Sequence, residues 1–553
     1  MKIVTNPIDR HQQFKEVADQ CFRSRSQRVS RYARNKQYYL YGTVDQQPVT
    51  LNKIMPHVEM VQSYLFSAET TRFAIELGES APKTELLKID PLLGRLQEEW
   101  HDSNTDMTYK ECLKWALVWD SMFIQIRWKR GGIAPYAIPP HNVGVWREDV
   151  TELSRQEAVC VRYPITLTQL RWDLRDHPQK DRILGALTAG PPSQDEPQYP
   201  QVVRDIVLAQ MNPIQSGQNM VGVVDVNTPP TDSYVPSMPD NMVTLTDMWI
   251  FDDDIEDWRW VTMTDTAGIC IYDREWRESY LPGELGMIQV RPRPALGYFW
   301  GESETTCLIP LQNAMASRLE DIRYIMSKQV RPSYFGSGFS SDTTEIRTAM
   351  DAEYGFVSGG EGNGKLEALA PEMPSDIFKE MEYFEHLFDE LSGIGGVVKG
   401  QSQPGVRSRG QTDTLAKLGS VRLKNRSMTS EDELDQIATV MLKLMQREDK
   451  THMHYVSADT MQPTEFIAKQ FDEDHVVKVD SHSMSPVFAE DNKQLAQQML
   501  EDKVITRERF VDLMQPPQKQ QIKAELRVIE QQEKAQAQAE QLAEQQGKLK
   551  AVK

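Results

Sequence analysis

The sequence predicts a multi-domain α+β protein, and three observations support this fold class. With 553 residues the chain is too long for one compact core, because domains usually have about 100–200 residues. Strand patterns occur over 123–138 and 242–272, whereas amphipathic helix patterns dominate after residue 303. Hydrophobic residues make up 39% of the chain and charged residues 26%, which is ordinary for a globular protein.

Charge and cysteine content narrow the classes of function. The net charge of −19 argues against tight binding of nucleic-acid phosphates, although it is compatible with a passage through which DNA slides. The N-terminus has no apolar signal region and no run approaches about 20 apolar residues, so we expect neither secretion nor a membrane span. The cysteines lie far apart, which predicts reduced thiols and assembly in the cytoplasm: Cys21, Cys112, Cys160, Cys270 and Cys307.

The first 300 residues read as mixed α and β, interrupted by a proline-rich insertion at 191–239. The acidic run at 252–257 fits either a site for a hard cation or a solvated hairpin tip. It lacks the spacing and the glycine of a calcium loop, which favours the hairpin tip. The predicted elements are a helix at 10–40, a helix after Pro56, a helix at 107–120, a hairpin turning at 131–132, and strands at 158–163, 242–250 and 258–272.

Apolar residues recur every three or four positions from Leu308, which predicts one long amphipathic helix to Lys328. Pro310 either starts the main part of this helix or kinks it. A short β-like region follows, and a second amphipathic helix runs from Ser375, a plausible N-cap, to Leu391. The predicted apolar face of this second helix consists of Ile377, Phe378, Met381, Phe384, Leu387, Phe388 and Leu391.

A glycine-rich loop at 393–410 follows the second helix and contains three cations and no acid. Loops of this length inside a folded chain are often functional. A long helix at 412–446 comes next, and the tail after Pro517 is a helix with few apolar residues. The loop cations are Lys399, Arg407 and Arg409.

Catalytic and metal-binding motifs are weak. Gly359–Lys365 approaches a phosphate-binding loop, but Leu366 replaces the required Ser or Thr and prolines follow where a helix should begin. His452 and His454 lack an evident third metal ligand. We therefore predict no catalytic residue, no metal and no cofactor, and expect that the protein is not an enzyme.

The order helix, β-like module, helix, glycine-rich loop and long helix resembles the central architecture of portal proteins of tailed bacteriophages. PALGYFWGES at 294–303 leads into LIPLQNAMASRLEDIRYIMSKQVRPS at 308–333, similar to the portal pattern of a G-x-S turn, a helix with a Gln-Asn pair and a proline-marked exit. SGIGGVVKGQ and GVRSRG, within 392–410, resemble the portal tunnel loop. YYLYG at 38–42 and the segment 51–66 resemble portal N-terminal regions, so the resemblance covers roughly residues 30–450.

This resemblance implies a multi-domain ring subunit with the portal fold. The insertion at 191–239 and the glutamine-rich tail depart from the family pattern. The implied parts are a wing at 1–300, a stem helix at 301–328, a β-containing clip at 329–373, a stem helix at 374–392, a tunnel loop at 393–411, a long helix returning to the wing at 412–450, wing and crown at 451–516, and a helical tail or barrel at 517–553.

The family resemblance also implies function and partners. Portal proteins form a dodecameric ring at one capsid vertex of the virion and conduct double-stranded DNA during packaging and ejection. The implied partners are further copies of the chain, DNA, the terminase large subunit, head-completion or tail adaptor proteins, and the major capsid and scaffolding proteins, with no membrane. The competing interpretations are a nucleotide-driven packaging ATPase that uses Gly364 and Lys365, and a non-ring adaptor or scaffold protein.

Candidate site residues follow from this assignment. The tunnel loop would place Val397, Val398, Lys399, Arg407 and Arg409 in the channel. On the second stem helix, Glu382, Glu385 and Asp389 would line the channel or pair with Arg318 or Arg323 of a neighbouring subunit. The sequence leaves both alternatives open.

Overall fold

The architecture of the chain is that of a computed structural model. The structure describes residues 1–4, 6–43, 51–66, 71, 73–76, 83–129, 131–175, 177–188, 242–264, 269–330, 333–337, 344, 365–369, 372–392, 421–456, 463–470, 476–479, 495–502, 504–505, 507, 510–511, 522 and 526.

Helices account for most of the described residues. They are α1 (Pro7–Cys21), α2 (Arg25–Tyr41), α3 (Ile54–Leu65), α4 (Lys83–Asp102), α5 (Thr105–Val118), α6 (Leu167–Asp173), α7 (Lys180–Thr188), α8 (Glu304–Val330), α9 (Ile377–Ser392) and α10 (Val421–Glu448).

The strands form small sheets with antiparallel pairing. They are β1 (Phe73–Glu76), β2 (Met122–Lys129), β3 (Gly132–Ile138), β4 (Val143–Val145), β5 (Ala158–Thr166), β6 (Met242–Asp252), β7 (Asp257–Thr264), β8 (Cys270–Glu275), β9 (Met287–Val290), β10 (Ser333–Ser337), β11 (Lys365–Leu369), β12 (His452–Val456), β13 (Pro463–Ile467) and β14 (Val476–Val479). The sheet orders are β4-β5-β6-β7-β8, β3-β2-β9, β1-β14, β10-β11 and β12-β13. The fold is therefore mixed α and β, as predicted.

The chain divides into two compact units. The first unit comprises residues 1–62, 111–127 and 134–424, and the second comprises 63–110, 128–133 and 425–553. Residues 1–300, predicted as a wing, thus contribute to both units.

One buried cluster of the first unit lies between helix α1 and one face of the five-stranded sheet. Phe14, Val17 and Cys21 of α1 pack with Met248 and Ile250 of β6 in one buried cluster. Because side chains alternate between the two faces of a strand, residues two apart on β6 share this face. Burial of this face fixes the register of the strand pairs.

The prediction of a single helix over 10–40 is wrong, because two helices occupy this region. α1 ends at Cys21 and α2 begins at Arg25, so the two helices have separate buried sides. The buried residues of α2 include Arg25 and Arg28, which act as donors to backbone carbonyls of 140–143. Arg25 Nε donates to the His141 carbonyl (2.6 Å) and Arg28 Nη1 to the Pro140 carbonyl (3.1 Å).

The acidic run at 252–257 forms the turn between β6 and β7, as the hairpin interpretation predicts. It is not uniformly solvated, since Asp252 and Asp257 are buried. Asp252 accepts from Arg259 Nε (3.0 Å), and Asp257 accepts from the amides of Trp258 (2.7 Å) and Gly283 (3.0 Å). The stretch 258–272, predicted as one strand region, contains two paired strands, β7 and β8.

Helices α8 and α9 contact each other, and the antiparallel strand pair β10–β11 lies between them in sequence. α8 begins at Glu304, so Pro310 lies inside the helix rather than at its start. α9 begins at Ile377. The carbonyl of Asp376 accepts the first i to i+4 hydrogen bond of the helix, from the amide of Glu380 (2.9 Å), so Asp376 and not Ser375 is the N-cap residue. Phe378 does not belong to the buried face of α9, since 55% of its surface is exposed.

The second unit contains α4, which the sequence reading missed. Leu92, Leu96 and Trp100 form its buried stripe. Arg95 connects α4 to the residue after α10 through Asp449 (3.2 Å). Tyr109 also meets α10, where its hydroxyl donates to buried Glu433 (2.9 Å).

Several predictions fall on residues outside the described part of the chain. They concern the insertion at 191–239, the loop at 393–411, the first turns of the helix predicted from 412, most of the region 329–373, and most of the tail after 517. Within the described ranges, no helix has the length and apolar character to cross a bilayer.

Candidate functional site

Ser303 caps helix α8 and connects it to two other helices. Its hydroxyl accepts from the amide of Thr306 (3.2 Å), an N-cap interaction, and donates to the carbonyl of Val118 at the end of α5 (2.6 Å). Asn35 of α2 donates to the Ser303 hydroxyl (3.0 Å), to the Val118 carbonyl (3.1 Å) and to the Thr306 hydroxyl (2.8 Å). We call this meeting point of α2, α5 and α8 the α8 root; it is defined by Asn35, Val118 and Ser303.

Gly301, two residues before the cap, lies against the backbone at the α8 root. A Cβ atom at this position would lie 2.6 Å from the Asp120 carbonyl oxygen and 2.7 Å from the Arg293 carbonyl oxygen. Backbone oxygens cannot move aside as a flexible side chain can. The glycine of the G-x-S turn is therefore required by close approach.

Glu304 extends this site toward α3 through a buried ionic cluster. Its Oε2 accepts from Arg293 Nη1 (3.1 Å), and its Oε1 lies 3.1 Å from His57 Nε2. Glu304 and His57 are both buried. A buried carboxylate needs such partners, because removal from water without them is costly.

Gln312 and Asn313, the pair in the motif, bind two different segments. The Gln312 side chain accepts from the amide of Lys53 (3.2 Å) and donates to the carbonyl of Leu51 (2.7 Å). Asn313 accepts from the hydroxyl of Tyr38 (2.8 Å). The pair thus holds the last turn of α2 and the segment 51–53 before α3 against the first half of α8.

Asp120 forms a second buried polar cluster beside Gly301. Its carboxylate accepts from Arg31 Nη2, from the Tyr32 hydroxyl (3.0 Å) and from the Ser121 hydroxyl (2.9 Å). Burial raises the pKa of Asp120, and the positive charge of Arg31 opposes this rise. Burial and the nearby Asp120 charge also raise the pKa of Tyr32 well above its ordinary value, so Tyr32 acts as a neutral donor.

Trp300, in the same motif, is also held by polar partners. Trp300 Nε1 donates to Glu148 (2.7 Å), and the guanidinium of Arg28 lies over the Trp300 ring, 3.7 Å from its centre. Such stacking is stabilising when the cation is desolvated, and Arg28 is buried. Residues of 294–303 therefore anchor to α2 and to the loop after β4.

Of the predicted stem residues, Arg318 and Glu385 have ion-pair partners within the chain. Arg318 pairs with Asp321 (2.9 Å) and Glu380 (3.0 Å), and Glu385 pairs with Lys53 (2.7 Å). Arg323 and Glu382 are exposed; neither has an ion-pair partner among the described residues. Asp389 lies in α9, but its side chain is outside the described part, as are the loop residues Val397, Val398, Lys399, Arg407 and Arg409.

Sequence reasoning did not identify Asn35, His57 or Glu304 as site residues. Asn35 stands out only as a polar residue at a buried position of an amphipathic helix, a weak signal. His57 and Glu304 are separated by 247 positions, so nothing local marks them as partners.

His452 and His454 are the histidines weighed above as metal ligands. Among the residues that the structure describes, no group of three or more His, Cys, Asp or Glu residues is arranged to hold a metal ion. His452 of β12 pairs instead with Glu465 of the neighbouring strand β13 (2.8 Å).

Comparison with known proteins gives no family assignment. No family model matches the chain, and no curated protein matches it at a significant level.

Proposed function

We propose that the chain is the subunit of a ring-forming structural protein that conducts DNA. Within this class, we propose a portal protein of tailed bacteriophages. The observation that carries the proposal is the convergence of distant segments on the first half of α8. The segments that resemble portal sequences, at 38–42, 51–66 and 294–333, hydrogen-bond to one another around Gln312 and Asn313.

The paired helices α8 and α9 also support the proposal. The predicted stem needs two neighbouring helices joined by a small β module, and α8, the strand pair β10–β11 and α9 occur in this order with α8 contacting α9. In the proposed ring, the end of the stem that carries β10 and β11 faces the packaging motor and later the adaptor proteins. The loop at 393–411 faces the channel.

The net charge of −19 fits a passage for DNA. A ring of twelve copies carries a formal charge on the order of −230, so the wall mostly repels the duplex and does not hold it. The cations Lys399, Arg407 and Arg409 then form a narrow attractive ring of weak, salt-screened contacts.

The proposal is tested by the mass and shape of the purified full-length chain. Native mass measurement and negative-stain images should show closed rings with an open axial channel, near twelve copies. A monomer or dimer at every concentration, with no rings in the images, contradicts the proposal. That outcome favours the adaptor or scaffold alternative.

The packaging-ATPase alternative lacks its structural requirement. A phosphate-binding lysine stands where a glycine-rich loop opens a helix, whereas Lys365 begins strand β11 and pairs with Ser337 of β10. Lys365→Ala should change no nucleotide turnover if the chain is a portal subunit. ATP hydrolysis that disappears in this variant would restore the alternative.

A further inference from the structure

Helices α8 and α9 expose large apolar side chains on more than one side of the helix pair. Tyr324 and Met326 of α8 are 61% and 53% exposed, and Phe378 and Tyr383 of α9 are 55% and 59% exposed. Such residues scattered singly need no explanation, but here they lie on two packed helices. Clustered exposed apolar residues commonly mark an interaction surface.

One side of the pair is defined by contacts with residues 51–53. Gln312 of α8 and Glu385 of α9 both bind this segment, so both side chains point to the same side of the helix pair. At about 100° per residue, Arg323 points within about 20° of Gln312, and Phe378 points within about 20° of Glu385. We call this side flank A; it contains Arg323, Phe378 and Glu382.

The other side of the pair carries different residues. Tyr324 and Lys328 lie about 120–160° around α8 from Gln312, and Tyr383 lies about 160° around α9 from Glu385. We call this side flank B; it contains Tyr324, Lys328 and Tyr383. The Lys328 ammonium lies 5.8 Å from the centre of the Tyr324 ring, so flank B presents an aromatic and cationic surface.

Two attractive contacts are available between the flanks. Glu382 on flank A has no ion-pair partner among the described residues, and Lys328 on flank B has only the Tyr324 ring as a described contact. Arg323 on flank A suits the exposed rings of flank B, since guanidinium groups stack on aromatic faces. The acids Asp321 and Glu390 also point to the side of flank B, but both interact within their own chain.

We infer that flank A of one copy binds flank B of the next copy, an inference that rests on the proposed ring. Contact between two different surfaces of identical chains is heterologous, and such contacts close into rings when the rotation permits. One kind of contact then covers both apolar flanks in every subunit. Pairing of A with A covers only one flank and leaves Tyr324 and Tyr383 exposed. Glu382 consequently faces a neighbouring subunit and not the channel.

The contact is tested by cysteine cross-linking in the full-length chain. Cys307, an exposed thiol, is first replaced in Cys307→Ser. Phe378→Cys then marks flank A and Tyr324→Cys marks flank B, and a short bis-maleimide is used as the probe. Copies carrying one cysteine each should cross-link only when both variants are co-assembled, and the double variant should give a ladder up to the ring size.

Charge reversal provides an independent measurement. Glu382→Lys should raise the concentration at which rings dissociate by about tenfold or more, because it opposes Lys328 of the neighbour. Adding Lys328→Glu should restore assembly. The matched control is Glu111→Lys, an exposed acid on α5 and so outside both flanks, which should leave assembly unchanged.

The possible results separate the inference from the proposed function. Cross-linked dimers of Phe378→Cys alone indicate pairing of A with A and overturn the inference. Rings that form without A-to-B cross-links overturn it as well, but they leave the proposed ring intact. Monomers at all concentrations overturn both.

Discussion

The side-chain amide of Asn35 donates to the hydroxyl of Ser303 at 3.0 Å, and the same amide donates to the Val118 carbonyl at 3.1 Å. One amide group thus connects the start of α8 with the end of α5. Asn35 is fully buried, so water cannot replace it. The polar partners it holds would be left unsatisfied without it.

Asn35→Ala should destabilise the first unit by about 2–4 kcal/mol, because it removes several buried hydrogen bonds. Urea unfolding followed by tryptophan fluorescence measures the loss. Arg34→Ala, at the exposed neighbouring position, should cost less than about 0.5 kcal/mol. Equal effects of the two changes would show that Asn35 has no special part in the α8 root.

Gly301→Ala should destabilise by more than about 3 kcal/mol or prevent folding, because its Cβ would overlap two backbone oxygens. Thermal unfolding and soluble yield report this effect. A matched control is Gly185→Ala in α7, where an added Cβ meets nothing within 4 Å. This control should raise stability by about 0.5–1 kcal/mol through better helix propensity. Normal stability of Gly301→Ala would contradict the close approach.

His141 should make the first unit sensitive to acid. Burial and the nearby cations Arg25, Lys36 and Arg28 lower the pKa of His141 to about 3. Below about pH 6.5 the unfolded chain protonates this histidine while the folded chain does not, so stability falls as pH drops from about 6.5 toward 3. The slope is at most about 1.4 kcal/mol per pH unit.

The measurement for His141 is the free energy of unfolding from pH 7 to pH 4. His141→Gln should flatten this pH dependence relative to the unchanged chain. Asn142→Gln, which changes the next residue without removing a titratable group, serves as control and should leave the slope as it was. A slope identical in all three proteins would argue against a neutral buried imidazole at position 141.

Thiol reactivity should distinguish two cysteines of the first unit. Burial raises the pKa of Cys270 to about 12, so only about one thiol in ten thousand is ionised at pH 8. Cys307 is exposed beside Arg293. Labelling with iodoacetamide at pH 8, followed by peptide mass analysis, should modify Cys307 more than about 100-fold faster than Cys270. Cys307→Ser should remove the fast reaction.

The loop cations can be tested separately from assembly. Replacing Lys399, Arg407 and Arg409 with alanine should leave rings intact in negative-stain images, because these residues lie outside both flanks of the α8–α9 pair. Packaging or retention of DNA should change, since the weak attractive contacts with phosphate are lost. Unchanged genome filling by the triple variant would contradict the assignment of this loop to the channel.

Sequence patterns predicted many of the secondary-structure elements correctly. The apolar residues of α3, Val58, Val61 and Leu65, are fully buried as expected, and the hairpin of β2 and β3 turns at Gly131 as predicted. Helix periodicity and turn glycines are local signals, so they are readable without a structure. Helix α4 was missed although Leu92 and Leu96 carry its period, and Pro91 lies inside it.

The contacts of the candidate site could not be predicted in the same way. Asn35 and Ser303 are 268 positions apart, and their pairing depends on how three helices pack. Phe378 was assigned to the buried face of α9 because its position fits a wide apolar stripe. The helix is buried on a narrower stripe, through Ile377 and Phe388, and this width depends on the neighbouring helix.

Helix α8 is fixed along only part of its length. Its 27 residues span about 40 Å. The first half contains the buried residues Leu308, Gln312 and Met315, while Tyr324, Met326 and Val330 near the other end are exposed. The second half of α8 therefore projects beyond the segments that hold its first half. A force applied near Val330 would be transmitted along the helix to the hydrogen bonds of Ser303, Glu304 and Gln312.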